Sequence, residues 1–215
     1  MRSNTNGRTS QADSTRVQDA IALLTSDHET VRDLLSQLEE TTDRGSKKRM
    51  DLLQRLGVEI RVHAKIEEEI FYPAYKGAAK NKEDSKLFFE ATEEHGLVDI
   101  VLPALEETDP TSEPFGAKAK VLKDLIEHHA EEEETEMFPK AKKLLGKERL
   151  KELGAQMQDR KEELTAELSG RGSQRLSGNG RGGTGPRNVS SRSTTETTRQ
   201  PARSRSATQV SDDDV

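Results

Sequence analysis

The chain has 215 residues, with no cysteine and no tryptophan; 30% of it is apolar, 34% charged and 3% aromatic. Without cysteine there is no disulfide scaffold, thiolate metal site or cysteine nucleophile. No apolar run is long enough to span a bilayer and no secretory leader follows Met1-Arg2, so a cytoplasmic chain is expected.

Charge divides the chain. Residues 169–215 hold eight Arg, no Lys and scattered apolar residues, for a net +4, and residues 1–12 carry +2. With a total of −6, the middle, 13–168, carries −12. Neither end buries enough apolar surface to offset its ordering entropy, so both are expected to be disordered tails around one acidic domain.

The domain reads as helices. A short turn is expected over Val17–Leu24. Ser26-Asp27-His28-Glu29 has the form of a capping box and opens a helix to about Glu40. A second helix runs from about Ser46 to Phe71, checked at Pro73, and a third from about Asn81 to Leu105, with Pro103 bending its last turn. A fourth runs from about Phe115 to Phe138, checked at Pro139, and a polar amphipathic helix over Lys147–Leu168 forms a lid or outer brace. Four long helices with short connections predict an all-α, up-down-up-down four-helix bundle with an extra C-terminal helix.

Each long helix has an apolar stripe at three- and four-residue steps, and each stripe contains a histidine. The stripes are Leu24, His28, Val31, Leu35, Leu38; Leu53, Leu56, Ile60, His63, Glu67, Ile70; Phe88, Ala91, His95, Val98, Leu102, Leu105; and Ala119, Leu122, Ile126, His129, Glu133, Met137. The second and fourth stripes also carry a glutamate four residues after the histidine. His63-Ala64-Lys65-Ile66-Glu67-Glu68 leads to Pro73, and His129-Ala130-Glu131-Glu132-Glu133-Glu134 leads to Pro139, at a constant offset of 66. The domain therefore reads as two copies of a helix pair about a pseudo-twofold axis.

Burying these groups unpaired is untenable. One desolvated polar group costs roughly 2–7 kcal/mol, and six would exceed the roughly 5–15 kcal/mol stability of a domain. They must pair with one another or clasp cations. His and Glu at i, i+4 share a helix face, about 5–6 Å apart. With imidazole and carboxylate donors and no sulfur, iron, manganese and zinc remain open. One tetrahedral zinc would strand two of the six groups. Two octahedral ions bridged by both glutamates and by an oxo or hydroxo group use all six and leave positions for a small ligand.

At these residues the sequence resembles the hemerythrin-like family in its bacterial HHE cation-binding form. The match is His28, then His63-x-x-x-Glu67, then His95, then His129-x-x-x-Glu133, with the flanking phrases Glu68-Glu69-Ile70-Phe71-Tyr72-Pro73 and Glu134-Thr135-Glu136-Met137-Phe138-Pro139, over roughly 18–145. The resemblance implies a four-helix bundle holding two non-heme iron ions (Fe2+/Fe3+), ahead of manganese or zinc. The expected ligands are His28, His63, Glu67, His95, His129 and Glu133, and the expected small partners are dioxygen, peroxide or nitric oxide. An iron- or oxygen-sensing module without turnover is the alternative. Asp99 stands where the oxygen-carrying hemerythrins have a second histidine, which departs from reversible oxygen carriage.

His128 is expected outside the cage, and Asp99 beside an imidazole or on the surface. The remaining acids of Glu67–Glu69 and Glu131–Glu134 read as solvated faces, and Tyr72 and Tyr75 as helix-end packing. Arg181-Gly182-Gly183 is a weak nucleic-acid signal, set aside in favour of a solubilising tail.

Overall fold

The computed structural model describes residues 18–177, and these are helical apart from short connections. The elements are α1 (Ala20–Glu39), α2 (Ser46–Ile66), α3 (Tyr72–Ala78), α4 (Lys82–Glu106), α5 (Glu113–Glu132) and α6 (Phe138–Ser177). A π-helical turn, Glu67–Phe71, joins α2 to α3, and another, Glu133–Met137, joins α5 to α6. The four rods are thus α1, α2 with α3, α4, and α5 with the first part of α6. α1 packs on α2 and α5, and α4 packs on α5 and α2, closing the four-helix bundle. None of the described helices is long and apolar enough to cross a membrane.

α1 starts earlier than the capping box suggests. Asp19 is its N-cap, accepting from the Ala22 N–H at 2.9 Å. Ser26 lies inside the helix, where its carbonyl accepts from the Thr30 hydroxyl. The expected turn and first helix are one element because Ile21, Leu24, His28, Val31 and Leu35 are buried along one continuous stripe. That burial outweighs the local preference of Ser and Asp for caps.

The prolines do not end their helices. Pro73 and Pro139 have no N–H to offer the preceding turn, and in each case the chain accommodates this by widening one turn. The Tyr72 N–H reaches back to Glu67 O and the Phe138 N–H to Glu133 O, each five residues earlier, and the rod continues.

The C-terminal helix is a core element. Gly146, at φ +73°, adopts a left-handed conformation that glycine reaches without strain and turns the chain between residues 138–145 and 147–177. Leu150, Leu153, Met157 and Leu164 are buried and join Ala20, Leu24, Phe71, Tyr75 and Phe138 in one apolar cluster. Helicity continues past the expected end at Leu168 to Ser177. Residues 169–177, expected to belong to the disordered tail over 169–215, are thus helical; the expected tail over 1–12 and the rest of the C-terminal one, 178–215, lie outside the described residues.

A second apolar cluster, including Leu35, Leu56, Ile60, Val98, Leu122 and Ile126, fills the other end of the bundle. Each stripe histidine lies in sequence between residues of the two clusters, so the four imidazoles form a polar layer between two apolar ones.

Gly154 lies against the entry to α1. A Cβ there would sit 2.2 Å from Gln18 O and 2.7 Å from Ala20 N, both backbone atoms. Gly154→Ala is expected to destabilise the protein by about 1–3 kcal/mol through overpacking, read as a lower urea midpoint. An unchanged midpoint would show that the C-terminal helix is not docked on α1.

Candidate metal centre

All six expected side chains are buried in the polar layer: His28, His63, His95 and His129 within 10% relative exposure, Glu67 at 0% and Glu133 at 1%. His28 Nε2 faces His63 Nε2 at 3.1 Å, and His95 Nε2 faces His129 Nε2 at 3.3 Å. Glu67 Oε2 lies between the pairs, 3.1 Å from His63 Nε2 and 3.3 Å from His95 Nε2. Glu133 Oε2 does the same from the other side, 3.3 Å from His28 Nε2 and 3.7 Å from His129 Nε2. His28, His63, Glu67 and Glu133 can offer donor atoms to one cation; Glu67, His95 and His129 can offer them to another.

The outer ring nitrogens settle what the inner ones present. His28 Nδ1 lies 2.8 Å from Glu134 Oε1, His95 Nδ1 3.2 Å from Glu68 Oε1 and His129 Nδ1 2.8 Å from Glu94 Oε2. An imidazole that donates Nδ1–H to a carboxylate, when neutral, carries a lone pair at Nε2. His95 and His129 therefore aim two lone pairs at one point, beside a carboxylate oxygen. Glu67 Oε1 and Glu133 Oε2 are buried without a hydrogen-bond partner. Only positive charge at the centre, protons or metal, reconciles this arrangement.

The outer carboxylates are in turn held by cations. Arg32 donates to Glu134 at 2.8 Å, Lys65 to Glu68 at 2.9 Å, and Lys161 to Asp27. Asp27 Oδ2 lies 3.6 Å from His63 Nδ1, behind the fourth imidazole. Asp27, Glu67, Glu68, Glu94, Glu133 and Glu134 are thus six carboxylates answered by three permanent cations, a deficit suited to divalent ions.

The two halves differ in chemistry at the aligned pair Tyr72 and Phe138. Tyr72 Oη donates to Glu133 Oε1 at 2.9 Å and lies 3.3 Å from His95 Nε2. Phe138, its counterpart at the offset of 66, stacks on His28 with ring centroids 5.9 Å apart. Tyr72 is therefore part of the site, against its expected role as helix-end packing; Glu68 and Glu134 buttress imidazoles where the acidic runs read as solvated faces, and Glu94, which the sequence reading did not single out, does the same. Their position one residue from a stripe residue was the available signal. Asp99 is exposed. His128 stays outside the layer, 61% exposed, with Nε2 3.4 Å from Glu94 and 3.5 Å from Glu132.

Residues 19–141 match the family described as the hemerythrin HHE cation binding domain. This chain belongs to that family. In the same family, the crystal structure of a hemerythrin HHE cation binding domain-containing protein from Mycobacterium kansasii is similar, with a TM-score of 0.63 and 28% identity, over 76% of this chain and 95% of that one. A protein of Nostoc sp. (strain PCC 7120) named a DNA nickase is 23% identical over 154 residues, 72% of this chain. The match spans only 41% of that relative's length. The HHE match ends before residues 147–177, so the C-terminal helix lies outside it.

Without metal, protons supply the positive charge. Burial opposes charging of His63, but Glu67 and Asp27 outweigh it and raise its pKa to about 10. Burial likewise opposes charging of His95, and Glu67, Glu68 and Glu133 outweigh it, raising its pKa to about 9. Burial favours the neutral form of Glu67, yet His63 and His95 hold its pKa well below the usual carboxylate value of 4.5. A raised imidazole pKa stabilises the fold fully below the ordinary value of 6.5, and that stability is lost as pH rises through 9–10. A lowered carboxylate pKa stabilises above 4.5 and is lost in acid. Metal-free protein is therefore expected to show its highest melting temperature between about pH 5 and 6.5 and to lose stability steadily toward pH 10. A flat alkaline limb would contradict this charge assignment.

Proposed function

We propose that the buried layer holds two non-heme iron ions (Fe2+/Fe3+) with an oxo or hydroxo bridge, and that the protein binds or reduces dioxygen, peroxide or nitric oxide. The observation that carries this reading is the convergence of imidazole lone pairs on the carboxylates of Glu67 and Glu133. Six nitrogen and oxygen donors, two of them carboxylates with an unpartnered buried oxygen, fit a pair of cations and exceed what one tetrahedral ion uses. His28 and His63 would hold one ion, His95 and His129 the other, with Glu67 and Glu133 between them. Iron in such a ligand set supplies electrons to small oxidants.

The chain's own groups prepare that chemistry. Glu134, Glu68 and Glu94 fix the ring orientation and tautomer of His28, His95 and His129 through Nδ1–H. Burial raises the Tyr72 pKa well above its ordinary value, and Glu133 and Glu67 raise it further, so Oη keeps its proton and directs it at Glu133 Oε1. Phe138 stacks on His28, and Phe71 packs edge-on against Phe138, so buried apolar rings cover the His28 ring face.

Protein purified after growth with iron is expected to contain about two irons per chain and, oxidised, to absorb as an oxo-bridged ferric pair. His63→Ala and Glu133→Ala should each lower metal affinity by more than the roughly 10–100-fold that loss of an outer partner costs. Metal-free wild-type protein that takes up no ferrous iron would refute the reading.

Tyr72→Phe removes a proton donor and leaves the six donors in place. It is expected to retain iron while slowing oxidation of the ferrous protein by peroxide about 100-fold, the low end for positioned acid–base catalysis. Stopped-flow absorbance measures this, and an unchanged rate would limit Tyr72 to packing.

A further inference from the structure

We propose that Lys161, on the C-terminal helix, is a positioning residue for the His28–His63 half of the metal centre. The inference rests on the di-metal reading above and extends it to a part of the chain outside the family match.

Each of the four imidazoles has a carboxylate behind Nδ1, and each carboxylate has a basic group behind it. Arg32 stands behind Glu134, Lys65 behind Glu68 and His128 beside Glu94. These three basic residues come from α1, α2 and α5. The fourth carboxylate, Asp27, has no such neighbour in the four rods and takes the Lys161 ammonium. Glu59 Oε2 is 4.0 Å from the same ammonium.

Asp27 is 6% exposed, a costly place for a charge without a cation beside it. Lys161 engages Oδ1, leaving Oδ2 free of partners and 3.6 Å from His63 Nδ1, which is also unpartnered. These facing atoms are a donor and an acceptor once His63 presents its Nε2 lone pair to a cation. Closing the gap by a few tenths of an ångström completes the fourth imidazole–carboxylate pair.

The helix is anchored well enough to serve as a support. Arg160 donates to both oxygens of Glu69, at 2.8 and 3.4 Å. Met157 and Leu164 on either side are buried, and Gly154 seats the helix against residues 18–20. Lys161 is therefore held at the one outer carboxylate that the bundle leaves without a basic partner.

Calorimetric titration of metal-free full-length protein with ferrous iron, without oxygen, tests this. Wild type should take up two ions. Lys161→Met should bind one of them about 10–100-fold more weakly and the other unchanged, and Lys161→Arg should restore both. In ferrous Mössbauer spectra, one of two iron signals should move. Asp27→Asn should weaken the same ion, and the double variant should lose no more than either single one. Arg160→Ala, which breaks the neighbouring ion pair of the same helix, should leave both affinities intact. Wild-type affinities in both Lys161→Met and Asp27→Asn would overturn the proposal, as would equal weakening by Arg160→Ala. Failure of wild type itself to bind two ions would refute the di-metal reading instead.

Discussion

Four imidazoles and two carboxylates meet in a layer with apolar clusters above and below. In such surroundings like partial charges cannot face one another unrelieved, because little water is present to screen them. The imidazole nitrogens that face inward stand 3.1–3.3 Å apart in pairs. The outer nitrogens of His28, His95 and His129 are committed to carboxylates, so the His95–His129 pair cannot solve the conflict by exchanging tautomers. Positive charge has to enter the layer. With protons it makes imidazolium ions of raised pKa; with metal it makes a ligand cage. The two compete for the same lone pairs, which ties metal affinity and fold stability to a single electrostatic constraint.

The widened turns at Glu67 and Glu133 serve that constraint. A proline inside a helix leaves a carbonyl without its usual donor, and a five-residue hydrogen bond restores continuity. The extra residue falls beside the glutamate that faces the centre. Glu67 and Glu68 are adjacent in sequence, yet both reach His95, one at the inner nitrogen and one at the outer. Across the pseudo-twofold, Glu133 and Glu134 do the same to His28. A single local deviation, used twice, lets neighbouring carboxylates engage opposite sides of one ring.

The helical rods and the level at which the six side chains meet were legible in the sequence. Apolar periodicity reports burial, and a polar residue in phase with that periodicity must be buried with it. Ser26 misled because cap preference is local, whereas the stripe from Ile21 to Leu35 is decided by packing against other helices. Pro73 and Pro139 misled because proline forbids a hydrogen bond without specifying how the chain compensates. The carboxylates behind the imidazoles were hidden among acids of identical composition; only rotation about the helix axis separates Glu68 from the exposed Glu69. Lys161 left no trace at all, because its partner Asp27 is 134 residues away.

The repeat explains why the centre is nearly symmetric, and its exceptions explain why it is not fully so. At the aligned pair Tyr72 and Phe138, one half presents a hydroxyl to Glu133 and the other an apolar ring face to His28. Of Asp27 and Glu94, which precede His28 and His95, one carboxylate is shorter and bound by an ammonium, the other longer and beside His128. The first exception puts a hydroxyl near His95 and an apolar ring at His28; the second puts a buried carboxylate behind His63 and a more exposed one behind His129. A proton donor at one position and apolar cover at the other would make two chemically similar ions unequal in access and in charge. The proposed small-molecule redox chemistry would benefit from that inequality, because one ion could meet the ligand while the other stayed shielded. A duplicated helix pair supplies matching donors, and a few unmatched side chains around them suffice to give each half its own role.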